Sequence, residues 1–439
     1  RLFVDPYYHN LPIRPSTVEK ASEYLASYPA DDETSCGIFP GRHAYLGGAK
    51  DERDGCIYGI PSHARSTVCL YPSLNENRGY KVKTIPLPKS VAAGKFKWLR
   101  GILVDGYLYG IPAWANCVLQ VDIDALWKRR KATNNDIVKL LPLPESYKGG
   151  DQQWQWHGAA LNEKGTAIYC IPSNAKEVLK VDLGTFTTSL IDIEIPEQYT
   201  DFDSDLANKW YGGIRGKDNA VYGVPYKSGS VLRIDTETDT ATLVGPDFGS
   251  GKWNWHGGIE ANGSIYAFPS HANSVLKIDT TNASRGQDCR LLPIPRAPND
   301  TVQNYKWLGG SLGLDGNIYG MPCDASSILK IDVETNECTT FGDTGDGKSK
   351  WQGAVLARDG CVYAIPSYGR HVLRIDTNPT MADEESNAYQ LLGHLPFGKS
   401  KYQGGFVGNG GSIYCIPENG YRVLRVTPPE NEMDVVLVD

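Results

Sequence analysis

The stretch from Trp210 to Gly245, WYGGIRGKDNAVYGVPYKSGSVLRIDTETDTATLVG, decides the fold of this chain. It contains four short segments with strand character, separated by turns rich in Gly, Asp, Asn or Ser. These segments are 211–216, 220–225, 230–235 and 241–245. Four short strands cannot bury both faces of their sheet alone, so the unit must pack against neighbouring units.

Variants of this unit recur eight times, at spacings of 44 to 60 residues. Each copy ends its second strand in Tyr-x-x-Pro. The repeated tyrosines are Tyr58, Tyr109, Tyr169, Tyr222, Tyr266, Tyr319, Tyr363 and Tyr414. Each copy also opens on an aromatic residue, followed two positions later by a small-residue pair that is usually Gly-Gly. The opening aromatics are Tyr45, Trp98, Trp156, Trp210, Trp255, Trp307, Trp351 and Tyr402. Four-stranded sheets repeated at this spacing are typical of a β-propeller.

We therefore predict an all-β chain: a single eight-bladed β-propeller of four-stranded antiparallel blades at 45–439. An N-terminal extension at 1–44, irregular apart from a short helix near 17–28, precedes it. A solenoid or a β-sandwich is the alternative architecture. The predicted blades are 45–86, 98–143, 156–193, 210–245, 255–295, 307–342, 351–394 and 402–439.

The residues that recur have physical roles in such a blade. Proline cannot donate to a β-ladder, so it ends the second strand. The Asp of the third-strand motif V-L-x-I-D accepts hydrogen bonds from its own downstream backbone and starts the next turn. Glycines in the first strand suit a crowded central channel, where neighbouring backbones approach closely.

Composition limits the class of protein. The chain has 439 residues and a net charge of −7, which argues against a dedicated nucleic-acid binder. No apolar run is long enough to span a membrane, so no membrane insertion is predicted. The acidic link at 194–205 and the basic insertion at 124–135 are interpreted as solvated surface segments, the insertion as a helix.

Cysteines and glycosylation sequons bear on the cellular setting. Sequons stand at Asn262, Asn282 and Asn299, all at predicted turns or loops. The ten cysteines are even in number and contain no C-x-x-C pair. Together these features predict a secreted or extracellular glycoprotein with disulfides. An intracellular protein with buried free thiols is the alternative.

The repeats resemble those of the quinoprotein-like and YVTN-like β-propellers. In particular, GGIEANGSIYAFPSHANSVLKIDT at 257–280 resembles the repeat G-G-x(n)-G-x-I-Y-G-x-P-x(5)-V-L-x-I-D of uncharacterised algal and protist propellers. The resemblance covers 45–439 and is specific for fold rather than for activity. Similar repeats occur in virginiamycin-lyase-like and lactonase-like enzymes, so the resemblance leaves an enzyme open.

The search for catalytic chemistry finds one pair of residues. His157 and His256 each follow a blade-opening Trp, two blades apart, near the predicted channel. A metal site or an acid–base pair is the functional interpretation; a polar residue at a variable position is the structural one. No nucleophile elbow, phosphate loop or zinc-protease motif is present. We therefore predict no catalytic residue, no cofactor and no metal, with a divalent metal in the channel as the alternative.

One predicted face carries the candidate binding residues. In a propeller, the turns between strands two and three share a side with the loops that lead into strand one. The candidate binding residues on this face are His63, Trp114, His157, Tyr226, His256, His271, Tyr368 and Tyr421. Lysines that precede the opening aromatics (Lys97, Lys209, Lys306, Lys350 and Lys401) are assigned to the same face.

Such a face suits a protein, an acidic peptide or a glycan. The leading hypothesis is a non-enzymatic scaffold that binds a protein partner or forms part of an extracellular or larger multiprotein structure. A lyase or lactonase-like hydrolase with a channel metal is one alternative. A multivalent lectin-like module is the other.

Overall fold

A computed structural model gives the structure of the chain. It describes residues 43–71, 81–128, 137–147, 154–199, 202–295, 302–378, 388–408, 410–428 and 434–438, with the backbone of two short paired strands, Leu2–Phe3 and Pro12–Ile13. The predicted helix at 17–28 lies outside the described residues. So do Cys36 and Asn299.

Eight four-stranded antiparallel sheets follow one another along the chain, each built from consecutive strands. This confirms the predicted fold class, an eight-bladed β-propeller. The described residues contain only two short helices, Lys89–Ala92 and Ile123–Lys128. Two compact units can be distinguished: unit 1 comprises 1–93, 310–330 and 340–439, and unit 2 comprises 94–309 and 331–339.

Blades 1, 7 and 8 lie in unit 1, and the strands of blade 6 are divided between the units. The strands of blade 1 are Tyr45–Lys50, Ile57–Pro61, Ser66–Tyr71 and Lys81–Pro86. Those of blade 6 are Trp307–Leu312, Ile318–Pro322, Ile328–Ile331 and Cys338–Phe341. Those of blade 7 are Trp351–Leu356, Cys361–Pro366, Val372–Asp376 and Tyr389–Leu392. Those of blade 8 are Tyr402–Val407, Ile413–Pro417, Val423–Thr427 and Asp434–Val438.

Unit 2 holds blades 2 to 5. The strands of blade 2 are Trp98–Val104, Tyr107–Pro112, Cys117–Asp122 and Val138–Pro142. Those of blade 3 are Trp156–Leu161, Ala167–Pro172, Val178–Asp182 and Thr187–Ile191. Those of blade 4 are Trp210–Arg215, Val221–Pro225, Val231–Asp235 and Thr240–Val244. Those of blade 5 are Trp255–Ala261, Ser264–Pro269, Ser274–Asp279 and Cys289–Pro293.

Two of the segments interpreted as solvated links take part in regular structure. Ile193–Glu194, at the start of the acidic link, pairs in parallel with Thr240–Val244 and adds a fifth strand to blade 4. The basic insertion begins as the helix Ile123–Lys128, and its remainder lies outside the described residues.

The repeated residues have the structural roles that the sequence predicted. The Asp182 carboxylate accepts a hydrogen bond from the Thr185 backbone N–H at 2.8 Å, and Asp279 accepts one from Thr281 at 2.9 Å. The opening Trp210 is fully buried, and its indole N–H donates to the Ser230 carbonyl at 2.7 Å. Trp210 also packs in a core cluster with Ile171 of blade 3, so the opening aromatics join neighbouring blades.

The first-strand glycines meet a real steric limit between blades 3 and 4. A Cβ atom added at Gly158 would lie 2.5 Å from the Gly212 carbonyl oxygen, and one at Gly213 would lie 2.7 Å from the Ala159 carbonyl carbon. These distances confirm the expected close approach of backbones. At Gly257 a Cβ would meet nothing within 4 Å, and there the φ of 71° is the reason for glycine.

All nine described cysteines are free thiols, and eight of them are buried. The disulfides expected from the even cysteine count are therefore not seen among the described residues. Burial raises the pKa of the Cys117 thiol to about 11, which keeps it protonated at neutral pH. Within the described residues, no helix is long and apolar enough to cross a membrane.

Candidate binding site

Arg100 occupies a backbone position that is glycine in every other blade. It is the third residue of the first strand, where a bulge shifts the pairing register in blade 2 between Leu99 and Gly101. All eight equivalent residues have a left-handed backbone: Gly47, Arg100, Gly158, Gly212, Gly257, Gly309, Gly353 and Gly404. Arg100 has a φ of 60°, a conformation that costs an L-residue about 1–2 kcal/mol. The backbone therefore gives no reason for an arginine at this position.

His157, Tyr211 and His256 lie together at the second position of the first strands of blades 3, 4 and 5. The ring centroids of His157 and Tyr211 are 3.7 Å apart, and those of Tyr211 and His256 are 4.7 Å apart. The two imidazoles are 6.2 Å apart. His157 is only 8% exposed, and its Nδ1 atom has no hydrogen-bond partner among the described residues. With Arg100, these three residues form what we call the Arg100 site.

Burial and a shared positive charge set the electrostatics of the Arg100 site. Desolvation, and then the charge of Arg100, lower the pKa of His256 to about 4. The same two causes lower the pKa of His157 well below its usual range, with a smaller contribution from His256. Desolvation raises the pKa of Tyr211 to about 12. At neutral pH the site therefore holds two neutral imidazoles, a neutral phenol and one guanidinium cation.

A cluster of aromatic rings adjoins this site in blades 4, 5 and 6. Tyr226 stacks on Trp253 with 5.5 Å between centroids, and Tyr305 lies 5.4 Å from Trp253 and 4.7 Å from His271. Tyr226 also lies 4.2 Å from Tyr211, which connects the cluster to the Arg100 site. We call Tyr226, Trp253, His271 and Tyr305 the Trp253 cluster.

A second cluster lies on the corresponding loops of blades 2 and 3. Phe96 lies 4.8 Å from Trp114 and 5.1 Å from Trp154, and the two tryptophans are 6.1 Å apart. All three side chains of this Phe96 cluster are half-buried. Together with the Trp253 cluster and the Arg100 site, it forms the aromatic surface, which lies entirely within unit 2.

Several of these aromatic side chains sit on strained backbone. Phe96, Trp154 and Tyr305 have φ values of 45°, 55° and 51° at the position two residues before the opening aromatic. The equivalent residues of blades 4, 7 and 8 have the same left-handed backbone and are the small polar residues Asn208, Ser349 and Ser400. Bulky residues are rare in this conformation. The turn therefore does not explain the aromatic rings, and strain of this kind is concentrated at functional sites.

The structure distributes the predicted binding residues between the two units. Trp114, His157, Tyr226, His256 and His271 all belong to the aromatic surface of unit 2. The other three predicted residues, His63, Tyr368 and Tyr421, lie in unit 1.

In unit 1, His63 pairs with another histidine. The His63 and His43 ring centroids are 5.4 Å apart, and His43 Nδ1 lies 2.7 Å from a Glu418 carboxylate oxygen. Tyr368 is half-buried, and Tyr421 is exposed.

The lysines that the sequence placed on the binding face are buried instead, and this assignment was wrong. Lys97, Lys209, Lys306, Lys350 and Lys401 are each at most 6% exposed. Their ammonium groups donate to backbone carbonyls; Lys350, for example, donates to Ala325 and Gly347 at 2.8 and 2.9 Å. These lysines hold loops together and are not available to a ligand.

Several members of the aromatic surface were not identified from the sequence. Arg100 is the clearest case, because the repeat alignment itself shows a lone arginine among seven glycines. Tyr211 occupies in blade 4 the same variable position as His157 in blade 3, and variation at that position gave no reason to select it. Phe96, Trp154, Trp253 and Tyr305 lie just outside the repeated motif, and their shared offset from the opening aromatic was the available signal.

No metal centre emerges from the side chains described. Among those residues, no group of three or more His, Cys, Asp or Glu is placed to hold a metal ion. A shallow groove of about 390 Å³ lies elsewhere in unit 2, beside Lys180 and Asp239. These two groups already form an ion pair at 2.6 Å, so their charges neutralise each other and favour no charged ligand in the groove.

Two of the three sequons fall within the described residues. Asn262 and Asn282 are both exposed, at turns of blade 5. The Asn262 side-chain amide donates to Glu334 at 2.7 Å. Their exposure is compatible with glycosylation, which, like secretion, stays a prediction.

The low pKa of both histidines gives the fold a testable acid sensitivity. Because the folded pKa lies below the unfolded value of about 6.5, the unfolded chain binds more protons as pH falls from about 6.5 towards 4, and stability is lost in that window. Between pH 7 and pH 5 the free energy of unfolding should fall in both proteins. We expect the fall to be about 1–3 kcal/mol smaller in a His157→Gln, His256→Gln double variant than in the wild type. Urea unfolding at the two pH values measures the difference. Equal losses in both proteins would contradict the assigned pKa shifts.

With the geometry established, comparison with known proteins gives the fold alone. No family model matches the chain, and no curated protein does. Among solved structures, virginiamycin B lyase from Staphylococcus aureus has a TM-score of 0.51 at 16% identity, with 75% of this chain and 94% of that chain covered. Hydrazine synthase from Kuenenia stuttgartiensis has a TM-score of 0.51 at 12% identity, with 91% and 99% covered.

A third match is a computationally designed protein, Ika8, with a TM-score of 0.56 at 9% identity and coverage of 87% and 96%. The similarity of the repeats to algal and protist propellers stays a prediction. At these levels of sequence identity, a shared fold does not imply a shared activity. The chain thus has a β-propeller fold, which it shares with proteins as different as virginiamycin B lyase and a computationally designed protein.

Proposed function

We propose that this protein is a non-enzymatic binding module that recognises a protein partner through the aromatic surface of unit 2. The observation that carries the proposal is the presence of Phe96, Trp154 and Tyr305 on left-handed backbone where blades 4, 7 and 8 use Asn or Ser. Folding alone gives no reason for that strain, whereas binding does. Large aromatic residues with partly exposed faces are the residue type that dominates protein interfaces.

The composition of the surface favours a protein over a sugar as the partner. Its rings pack on each other at several angles, as with Trp114 and Trp154 at 84°. A lectin-like module would instead repeat one sugar platform at equivalent sites of several blades. Aromatic residues do recur at the equivalent position of four blades, as Phe96, Trp154, Trp253 and Tyr305. Each of them packs against other rings of the surface instead of forming a separate platform, which suits continuous contact with one partner.

The enzymatic alternative is favoured by one observation, the neutral imidazoles of His157 and His256 beside Arg100. A pKa of about 4 makes His256 a weak general base, since an efficient base has a pKa near the working pH. The positive charge of Arg100, which disfavours imidazolium, also disfavours a divalent cation at the same place. Both points support a binding role over hydrolase or lyase chemistry with a channel metal.

To test the proposal, the three strained aromatic residues are replaced with asparagine, the residue at the equivalent position of blade 4. In a Phe96→Asn, Trp154→Asn, Tyr305→Asn triple variant, we expect the fold to be retained, because asparagine tolerates left-handed backbone. We expect proteins that co-purify with the wild type from its own cells to be lost from the variant. Affinity purification with quantitative mass spectrometry, together with melting curves, measures both.

Phe397→Asn is the matched control, because Phe397 is 71% exposed and lies outside the aromatic surface. The control variant should retain every co-purifying protein. Retention of the same proteins by the folded triple variant would reject the proposal. Selective binding of the wild type to a glycan array, with no protein partner, would favour the lectin-like alternative instead.

A further inference from the structure

We propose that the Arg100 site binds a carboxylate group presented by the protein partner: an Asp or Glu side chain or a C-terminus. This inference rests on the proposed function, since it names the chemical group that the aromatic surface receives. It goes beyond that function by assigning a ligand-binding role to Arg100 and His157.

The Arg100 guanidinium has no counter-charge among the residues that the structure describes. Several other arginines among the described residues are paired with carboxylates; Arg233, for example, lies 2.8 Å from Asp218, and Arg290 lies 2.8 Å from Asp288. Arg100 forms no ion pair with any residue that the structure describes. Tyr211 is the single group whose charge acts on it favourably, and that phenol is neutral at physiological pH. An exposed guanidinium among apolar rings therefore lacks the anion that it is best suited to bind.

Blade 2 differs from all other blades in the residue at the third position of its first strand. Seven blades have glycine at this position, and the backbone conformation favours glycine there. Blade 2 alone replaces it with the residue whose planar fork matches a carboxylate bidentately. A long cationic side chain at a strained position beside half-buried rings has no evident role in packing.

Within the Arg100 site, a buried side chain has a hydrogen-bonding atom without a partner among the described residues. His157 is more than nine-tenths buried, yet its Nδ1 atom has no hydrogen-bond partner among the described residues. A buried polar atom without a partner is uncommon in native proteins and indicates a ligand or a bound water. A neutral imidazole with the proton on Nδ1 donates to a carboxylate oxygen.

A single carboxylate suits the site better than a phosphate. The titratable and charged groups placed against the two imidazoles are Arg100, Tyr211 and Tyr226, so the site offers one cation only. The whole chain has a net charge of −7, which disfavours a dianion. The rings of Tyr211 and Tyr226, whose centroids are 4.2 Å apart and whose planes are tilted by 56°, add an apolar wall for the carbon chain that bears the carboxylate.

The experiment measures binding of 3-phenylpropionate and of an N-acetylated, C-amidated peptide, Phe-Gly-Glu-Gly-Phe, by isothermal titration calorimetry. The neutral counterparts, 3-phenylpropanamide and the Gln peptide, serve as ligand controls. We expect the wild type to bind both carboxylates at least about 10-fold more tightly than their neutral counterparts. We expect Arg100→Gly to remove that preference while its melting temperature does not fall, because glycine relieves the left-handed strain.

Arg290→Gly is the protein control, since Arg290 is exposed and already paired with Asp288. It should leave binding unchanged. Equal affinity of wild type and Arg100→Gly for the carboxylates, or equal affinity for carboxylate and amide, would overturn the proposal. Tighter binding of glucuronate than of the Glu peptide would also overturn it, because the ligand would then be an acidic sugar.

The outcomes separate this inference from the function on which it rests. Suppose that the triple asparagine variant loses the co-purifying proteins but the wild type shows no preference for carboxylates that depends on Arg100. This result would support the protein-binding surface and reject the carboxylate site. A carboxylate preference with unchanged co-purification would retain the site and reject the protein-binding surface.

Discussion

Replacing Asp218 with alanine is expected to lower the free energy of unfolding by about 2–4 kcal/mol, because it removes the nearest carboxylate from the buried Arg233. Arg233 is then left with the more distant carboxylate of Asp235, at 3.3 Å. Asp218 is 1% exposed, and one of its carboxylate oxygens accepts hydrogen bonds from Arg233 Nε and Nη2 at 3.0 and 2.8 Å. The same oxygen accepts a bond from the Tyr222 hydroxyl at 3.0 Å. Urea unfolding of the purified variant measures the loss.

The repeat provides a graded control for this prediction. In blade 7 the equivalent residues are Asp359, Tyr363 and Arg374, but Arg374 Nε lies 3.6 Å from the carboxylate and both side chains are 14% exposed. We expect Asp359→Ala to cost about 1–2 kcal/mol, the value of a hydrogen bond to a charged group in a partly hydrated setting. Equal losses for the two variants would show that burial of the Asp218 pair does not determine its contribution.

Replacing Lys401 with methionine is expected to cost about 2–4 kcal/mol, because several carbonyls lose their donor. The Lys401 ammonium donates to the carbonyls of Ser367 and Gly369, both at 2.9 Å, and the residue is 6% exposed. Burial and the charge of Arg370 lower its pKa to about 7. Methionine keeps the volume of the stem but offers the loops no hydrogen bond.

Lys176→Met is the matched control for Lys401→Met. Lys176 is half exposed, and its partner Asp205, at 2.6 Å, is also exposed. Surface ion pairs of this kind contribute little to stability. We expect no measurable change in the urea midpoint for the control. A comparable loss in both variants would contradict a special role for the buried lysines.

The blade pattern was predictable because each repeated residue performs a local task. A proline ends a strand and an Asp starts a turn wherever they occur, so eight copies of Tyr-x-x-Pro predict eight blades. The burial of the Lys350 side chain was not predictable in the same way. A lysine before an aromatic residue normally indicates an exposed side chain. Only the assembled loops reveal the carbonyls of Ala325 and Gly347 that accept hydrogen bonds from its ammonium group.

The candidate site was predictable in part. His157 and His256 were identified from their equivalent positions, but the ring of Tyr211 that lies between them was not. Arg100 was visible as a departure from the glycine pattern, yet its significance depends on the φ of 60°, which sequence does not provide. The lack of an acidic partner for Arg100 among the described residues is likewise a property of the three-dimensional structure.

The central claim is that the aromatic surface of unit 2 contacts a protein partner. Site-specific photocrosslinking with benzoylphenylalanine in place of Trp154 tests it most directly. Phe186 is the comparison site, because it is an exposed aromatic residue of the same unit in the turn after the third strand of blade 3, at the opposite end of that blade. The account predicts a crosslinked protein from position 154 and none from position 186. Crosslinks from position 186 alone, or equal crosslinks from both, would contradict it.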